Sequence, residues 1–259
     1  MITLCDCALN GVRPADIDPA VVLLDVRESP AEVAVTAHAI AGRPGQRQGR
    51  THVRALTVAL DLEIHESDPT RRKAIAGSLA RWAAPGGWLT VDDRPGQRLL
   101  VACDAPPALP SALHWTQPVT VTLTAREAPW WQEIAPVTVS APSPAASGAL
   151  SLRPTGDLPT PLEFTATNTG SGVLTAFSLT CAHAALRLDG LTWPPGAALT
   201  LAHDDRGVLA LRLDGASVLA LRTPESADEV LLPPREESSV AWAAAGPVAV
   251  ALAARGRCL

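Results

Sequence analysis

No run of about 18 apolar residues occurs in this 259-residue chain, which excludes a membrane-spanning helix and any expectation of membrane insertion. The nearest approach, residues 240–254, is too short and is interrupted by Pro247. Glycine follows no triplet period and no heptad is sustained, so collagen-like and coiled-coil architectures fall away. Tyrosine is absent and lysine occurs once, as Lys73. The formal charge of −5 exerts no overall pull toward nucleic acid. Five cysteines (Cys5, Cys7, Cys103, Cys181 and Cys258) are odd in number and scattered, which argues against a disulfide framework and for assembly in a reducing cytosol. The opening Met1-Ile2-Thr3-Leu4-Cys5-Asp6-Cys7 lacks a basic segment and carries Asp6 early, so no signal peptide is expected.

The grammar of catalysis is also missing. His38, His52, His65, His114, His183 and His203 stand in neither an H-x-H nor an H-E-x-x-H spacing, and Cys5-x-Cys7 has no partner pair. There is no G-x-S-x-G elbow, no G-x-G-x-x-G after a strand and no phosphate-binding loop. The acidic pairs Asp92-Asp93 and Asp204-Asp205 are each followed by arginine and soon by glycine, so they read as turns between strands. No enzyme, metal or cofactor is expected.

What is present is a chain rich enough in apolar residues, 47%, to bury a substantial core, with strand signals throughout. Residues 51–64 alternate so that Leu56, Val58, Leu60, Leu62 and Ile64 share one face, the period of a half-buried antiparallel strand. Residues 33–40, 99–103 and 119–125 read similarly. A single helix is predicted over about 69–83: Asp68 is its N-cap, Pro69 its first residue, Ile75, Leu79 and Trp82 its buried stripe, and Pro85-Gly86-Gly87 its end. Residues 140–148 are small, uncharged and proline-rich, the composition of a linker. The expected organisation is therefore an antiparallel β-domain with one helix over 1–138, a linker over 139–149, and a β-sandwich over 150–259. Residues 209–221 read as a hairpin turning at Asp214-Gly215. Leu-Arg-Leu-Asp-Gly recurs at 186–190 and 211–215, which is read as two hairpins sharing one turn solution.

Two features remain. Residues 42–54 carry Arg43, Arg47, Arg50 and Arg54 and no acid, which reads either as a basic loop meeting a neighbouring subunit or a nucleic-acid backbone, or as a solvated hairpin tip. Trp130-Trp131 reads as packing at the end of the first domain.

The order of these features resembles the distal tail (Dit) proteins of siphophages. The first half runs from the glycine and arginine loop through R-T-H-V-R-A-L-T-V, the capped helix ending in Trp82, the hairpin W-L-T-V-D-D-R-P-G-Q-R-L-L-V and V-T-V-T-L-T-A to A-P-W-W. In the second half G-D-L-P-T-P-L-E-F at residues 156–164, the Pro195–Leu201 segment P-G-x-x-L-x-L and the closing R-G-R-C-L match that family's C-terminal strands. The resemblance implies a galectin-like or carbohydrate-module-like C-terminal sandwich. It also implies a structural role without catalysis: a hexameric ring, formed through the N-terminal domains (residues 1–138) with the C-terminal domains pointing outward, at the phage tail tip joining tail tube to hub, baseplate or fibre-bearing tip. Its partners would be copies of itself, the tail tube protein, and hub and fibre proteins. Its location would be the virion, after assembly in the host cytoplasm. On this reading Arg43, Arg47, Arg50 and Arg54 sit in a subunit-contacting or lumen-facing loop. Two alternatives stay open: a carbohydrate-binding sandwich in which Trp193 or Trp242 stacks on host surface glycans, and a tail tube protein.

Overall fold

The computed structural model describes the backbone of residues 6–39, 46–105, 107, 116–181, 184–203 and 208–259, with side chains except at 36–39, 46–52, 116 and 117. The chain divides into two compact units, Met1–Trp131 with Leu259, and Gln132–Cys258.

The first unit contains strands β1 (Cys7–Leu9), β2 (Val21–Glu28), β3 (Glu32–Ala39), β4 (Gln46–His65), β5 (Gly87–Val91), β6 (Gln97–Val101) and β7 (Thr116–Ala125). It also holds two helices, the single turn α1 (Pro14–Ile17) and α2 (Pro69–Ala83). The spine is β4. Its alternation does what the period of two requires: Leu56, Val58, Leu60, Leu62 and Ile64 are all buried. On β7, Val119, Val121 and Leu123 stand directly across from Leu62, Leu60 and Val58, and these cross-strand apolar pairs form the seat of the core. β2 pairs with β4 from Val21–Ile64 to Glu28–Val58. β1, β5 and β6 form an antiparallel run, turning at residues 92–96.

Helix α2 occupies the predicted residues and packs on β4 and β7. The Asp68 carboxylate accepts the Thr70 amide at 2.9 Å, satisfying a donor that the first turn would otherwise leave open. Ile75 and Leu79 are buried, each worth about 1.5–3 kcal/mol in transfer free energy. Trp82 lies at the rim, half-buried, because its Nε1 donates to the Val12 carbonyl at 3.1 Å. Arg72 is buried instead, and its Nη1 donates to the Glu66 carbonyl at 2.6 Å.

Strand β8 (Trp131–Glu133) spans the division. The second unit continues with β9 (Val137–Ser140), β10 (Ala145–Leu152), β11 (Thr160–Asn168), β12 (Leu174–Cys181), β13 (Ala184–Trp193), β14 (Ala198–His203), β15 (Leu209–Leu213), β16 (Ala216–Ser217), β17 (Leu231–Leu232), β18 (Ser238–Ala254) and β19 (Arg257–Cys258). All of β9 to β18 belong to one antiparallel network in the order β13-β12-β18-β11-β14-β15-β16, with β9 and β10 also on β18 and β17 on β11. The mainly β, antiparallel class expected from the sequence is the class observed.

Residues 139–149, expected as a linker, are largely strand. β10 pairs with β18 from Ala145–Val248 to Leu152–Ser238, and β9 pairs with its far end from Val137–Ala254 to Ser140–Ala251. Pro142 and Pro144 fall in the short connection, where no ladder donor is needed. The small residues serve close packing: a Cβ at Gly148 would lie 2.5 Å from the Trp242 ring. Composition that mimics a linker is here the composition of a strand lying against an indole.

The two Leu-Arg-Leu-Asp-Gly copies also part ways. The second makes the expected turn, with both Asp214 and Gly215 at positive φ, although its return strand β16 is only two residues before a 3-10 turn at Leu219–Leu221. The first lies inside β13, where the register against β12 slips between Leu174 and Ala176 and Gly190 takes φ +72. It is a bulge and not a turn.

The core of this unit centres on Phe164, Phe177 and Trp193, with ring centroids 5.3 and 5.8 Å apart in sequence. Asn168, fully buried, uses Nδ2 on the carbonyls of Gly172 and Trp193, both at 2.9 Å, while its Oδ1 accepts the Gly170 amide at 3.0 Å.

Candidate assembly interface

Strand β4 outruns the sheet it supports. β7 stops opposite Leu56 and β2 opposite Val58. Over residues 46–55 the only partner of β4 among the described residues is β3, from Glu32–Ala55 to Ala39–Gln46. The result is a two-stranded ribbon, each strand of which has one edge carrying no strand partner among the described residues. The register shifts twice along it, between Glu32 and Val33 and between Val35 and Ala37, and such bulges bend and twist a ribbon. Val33 and Val35, two residues apart on β3, are each 50% exposed. Open backbone edges next to exposed β-branched residues are the features that invite another strand or chain.

Where the ribbon leaves the sheet, side chains brace it. The Glu28 carboxylate, at the last residue of β2, accepts the Trp131 Nε1–H at 3.0 Å and pairs with Arg94 at 3.0 Å. The Arg94 guanidinium in turn lies 5.0 Å from the Trp131 ring centroid. One strand further in, Asp61 on β4 takes hydrogen bonds from Arg27 on β2 and from Thr120 on β7, the latter at 2.8 Å. Desolvation pushes the Asp61 carboxyl up, but the hydrogen bonds from Arg27 and Thr120, with the charge of Arg27, outweigh it and hold the group below the ordinary carboxylate range. A carboxylate thus ties three adjacent strands together at the root of the ribbon.

The arginines singled out from sequence distribute along this ribbon. Arg47 and Arg50 lie on β4 by backbone position, Arg54 is exposed beside Glu32 at 3.5 Å, and Arg43 lies outside the described residues. The two tryptophans considered as sugar platforms are elsewhere in state: Trp193 is 0% exposed with Nε1 donating to the Ala197 carbonyl at 2.9 Å, and Trp242 is 6% exposed under Gly148. A ring with both faces packed offers none to a sugar, so burial removes the stacking role weighed for them. Trp131 is likewise core, as its position at the end of the first unit suggests. Glu28, Arg94 and Asp61 carry no local sequence signal, since their partners are distant along the chain. Among the described residues, no three histidine, cysteine, aspartate or glutamate side chains gather into a metal-holding group. No helix among them is long and apolar enough to cross a membrane.

No family model and no curated protein matches the chain. Solved structures do. The SPP1 Dit protein, a paradigm of the hub adsorption apparatus in phages infecting Gram-positive hosts, is similar with a TM-score of 0.73 at 14% identity, over 97% of this chain and 98% of that one. A chain of the phage P2 baseplate, in its activated conformation with Ca, is similar with a TM-score of 0.51 at 6% identity, over 98% of both chains. The chain has, along nearly its whole length, the fold of the SPP1 Dit protein.

Proposed function

We propose that this chain is a distal tail protein: a structural, non-catalytic subunit that forms a six-fold ring at a phage tail tip and joins the tail tube to the hub or fibre-bearing tip. The observation that carries the reading is the fold likeness to a hub adsorption protein over 97% of this chain and 98% of that one. The open-edged ribbon of β3 and β4 supports it further, because a heterologous contact closes into a ring when its rotation closes. On this reading the protein resides in the virion after assembly in the host cytoplasm, with tail tube, hub and fibre proteins as neighbours.

Light scattering with negative-stain imaging of the purified chain tests the proposal. Six-membered rings are the expected result. A species that stays monomeric at high concentration overturns it, and open cylinders convert it into a tail tube protein.

A further inference from the structure

In the second unit, residues 240–244 of β18 pair with β12 on one side and with β10 on the other, and β13 lies beyond β12. The rims of this part of the sheet are therefore β13 and β10. The β13 rim is closed: the amides of Thr223 and Ala227 donate to the carbonyls of Arg187 and Ala185 at 3.0 and 2.8 Å. The Ser226 hydroxyl accepts the Arg187 amide at 2.9 Å. The β10 rim is open. No strand, loop or side chain among the described residues hydrogen-bonds the edge of β10 that faces away from β18.

Native sheets blunt an open edge with charge, proline, brevity or a bulge. Residues 145–152 carry neither charge nor proline, and after the bulge between Ala145 and Ser147 the register runs unbroken from Ser147–Ala243 to Leu152–Ser238. The strand is firmly seated, since Leu152 is buried and Gly148 lies against the Trp242 ring with no room for a Cβ. Ser147, Ala149 and Ser151 are exposed on one face, and on the other Leu150 is half-buried at the margin of the core. A row of open ladder donors and acceptors is complementary to another extended backbone. The absence of charge selects an uncharged strand, and Leu150 selects an apolar side chain beside it, with every second residue on that face. We infer that β10 is a docking edge that takes up an extended, uncharged segment of another protein, apolar at alternate residues, as an added strand. Every residue involved lies in the second unit, so this docking does not draw on the first units, to which the ring contact is assigned.

A library of random decapeptides displayed on filamentous phage, panned against the full chain, supplies the probe. Enriched sequences are expected to be uncharged and apolar at every second position. The synthetic peptide is expected to slow amide hydrogen exchange within residues 145–152. S147K/S151K alters two exposed side chains, so the fold is retained, and circular dichroism checks it. Lysine on an edge opposes strand pairing, and affinity by fluorescence anisotropy is expected to fall about ten-fold or more. The uncharged S147T/S151T is expected to keep it. Failure to enrich strand-like sequences, binding that survives S147K/S151K, or exchange protection outside residues 145–152 overturns the docking edge. Wild-type dimers that S147K/S151K abolishes give the edge to a second copy of the chain and overturn it as well.

Discussion

The carboxylate of Glu28 accepts the indole N–H of Trp131 across 3.0 Å, joining the end of β2 to the last residue of the first unit, with Arg94 paired to the same carboxylate. Because Trp131 is buried, its N–H has no water to fall back on. Replacing Glu28 by alanine is expected to cost about 1–3 kcal/mol, the penalty of a buried donor left unpaired. Glu28→Gln keeps an acceptor oxygen and should cost less. Urea denaturation followed by tryptophan fluorescence ranks the two; equal stability of Glu28→Ala and wild type contradicts the bracing role.

Gly148 faces Trp242 on the neighbouring strand so closely that an added methyl would sit 2.5 Å from two ring carbons. Ring and strand must part to admit it. Gly148→Ala is expected to lose about 1–3 kcal/mol through overpacking and to change the near-ultraviolet circular dichroism of tryptophan. An unchanged aromatic spectrum would show that the indole has room this packing denies it.

Asp61 makes the root of the ribbon sensitive to acid. Its folded-state pKa is lowered from the ordinary value of 3.8, so its contribution is present above that value and lost as pH falls through the lowered one. Asp61→Asn should therefore flatten the acid limb of the stability-against-pH curve below about pH 4. Parallel curves for the two proteins in that window would refute the assignment.

Val33 and Val35 are each 50% exposed on the ribbon and contribute little to the core. The double change Val33→Asp with Val35→Asp should leave stability within roughly 1 kcal/mol, as for surface sites. Assembly should nevertheless fall, because two charges now occupy an apolar contact. Light scattering reads the oligomer and thermal denaturation reads the fold. A variant that assembles normally would remove the ribbon from the interface.

Legibility followed the range of the interactions. Strand β4 and helix α2 were readable because their causes are local: alternation over Leu56 to Ile64, and Asp68-Pro69 ahead of Ile75 and Leu79. The Asp214-Gly215 turn was readable for the same reason, since positive φ at both residues is a preference of the residues themselves. Residues 139–149 misled, because small side chains and prolines look alike in a linker and in a strand beside an indole. The same pentapeptide became a turn at 211–215 and a bulge at 186–190, decided by which strand lay alongside. Of the site, the arginine positions could be seen and their setting could not.

What the sequence determined by itself was periodicity: which stretches are strands, where the helix is capped, and which faces are apolar. Each follows from short-range sterics and solvation. Only the tertiary structure decided that β4 outruns its neighbours, that Glu28 meets Trp131 and that Trp193 and Trp242 are core. Those facts depend on pairing between residues far apart along the chain, whose register is set by the collective burial of one sheet face rather than by any local preference.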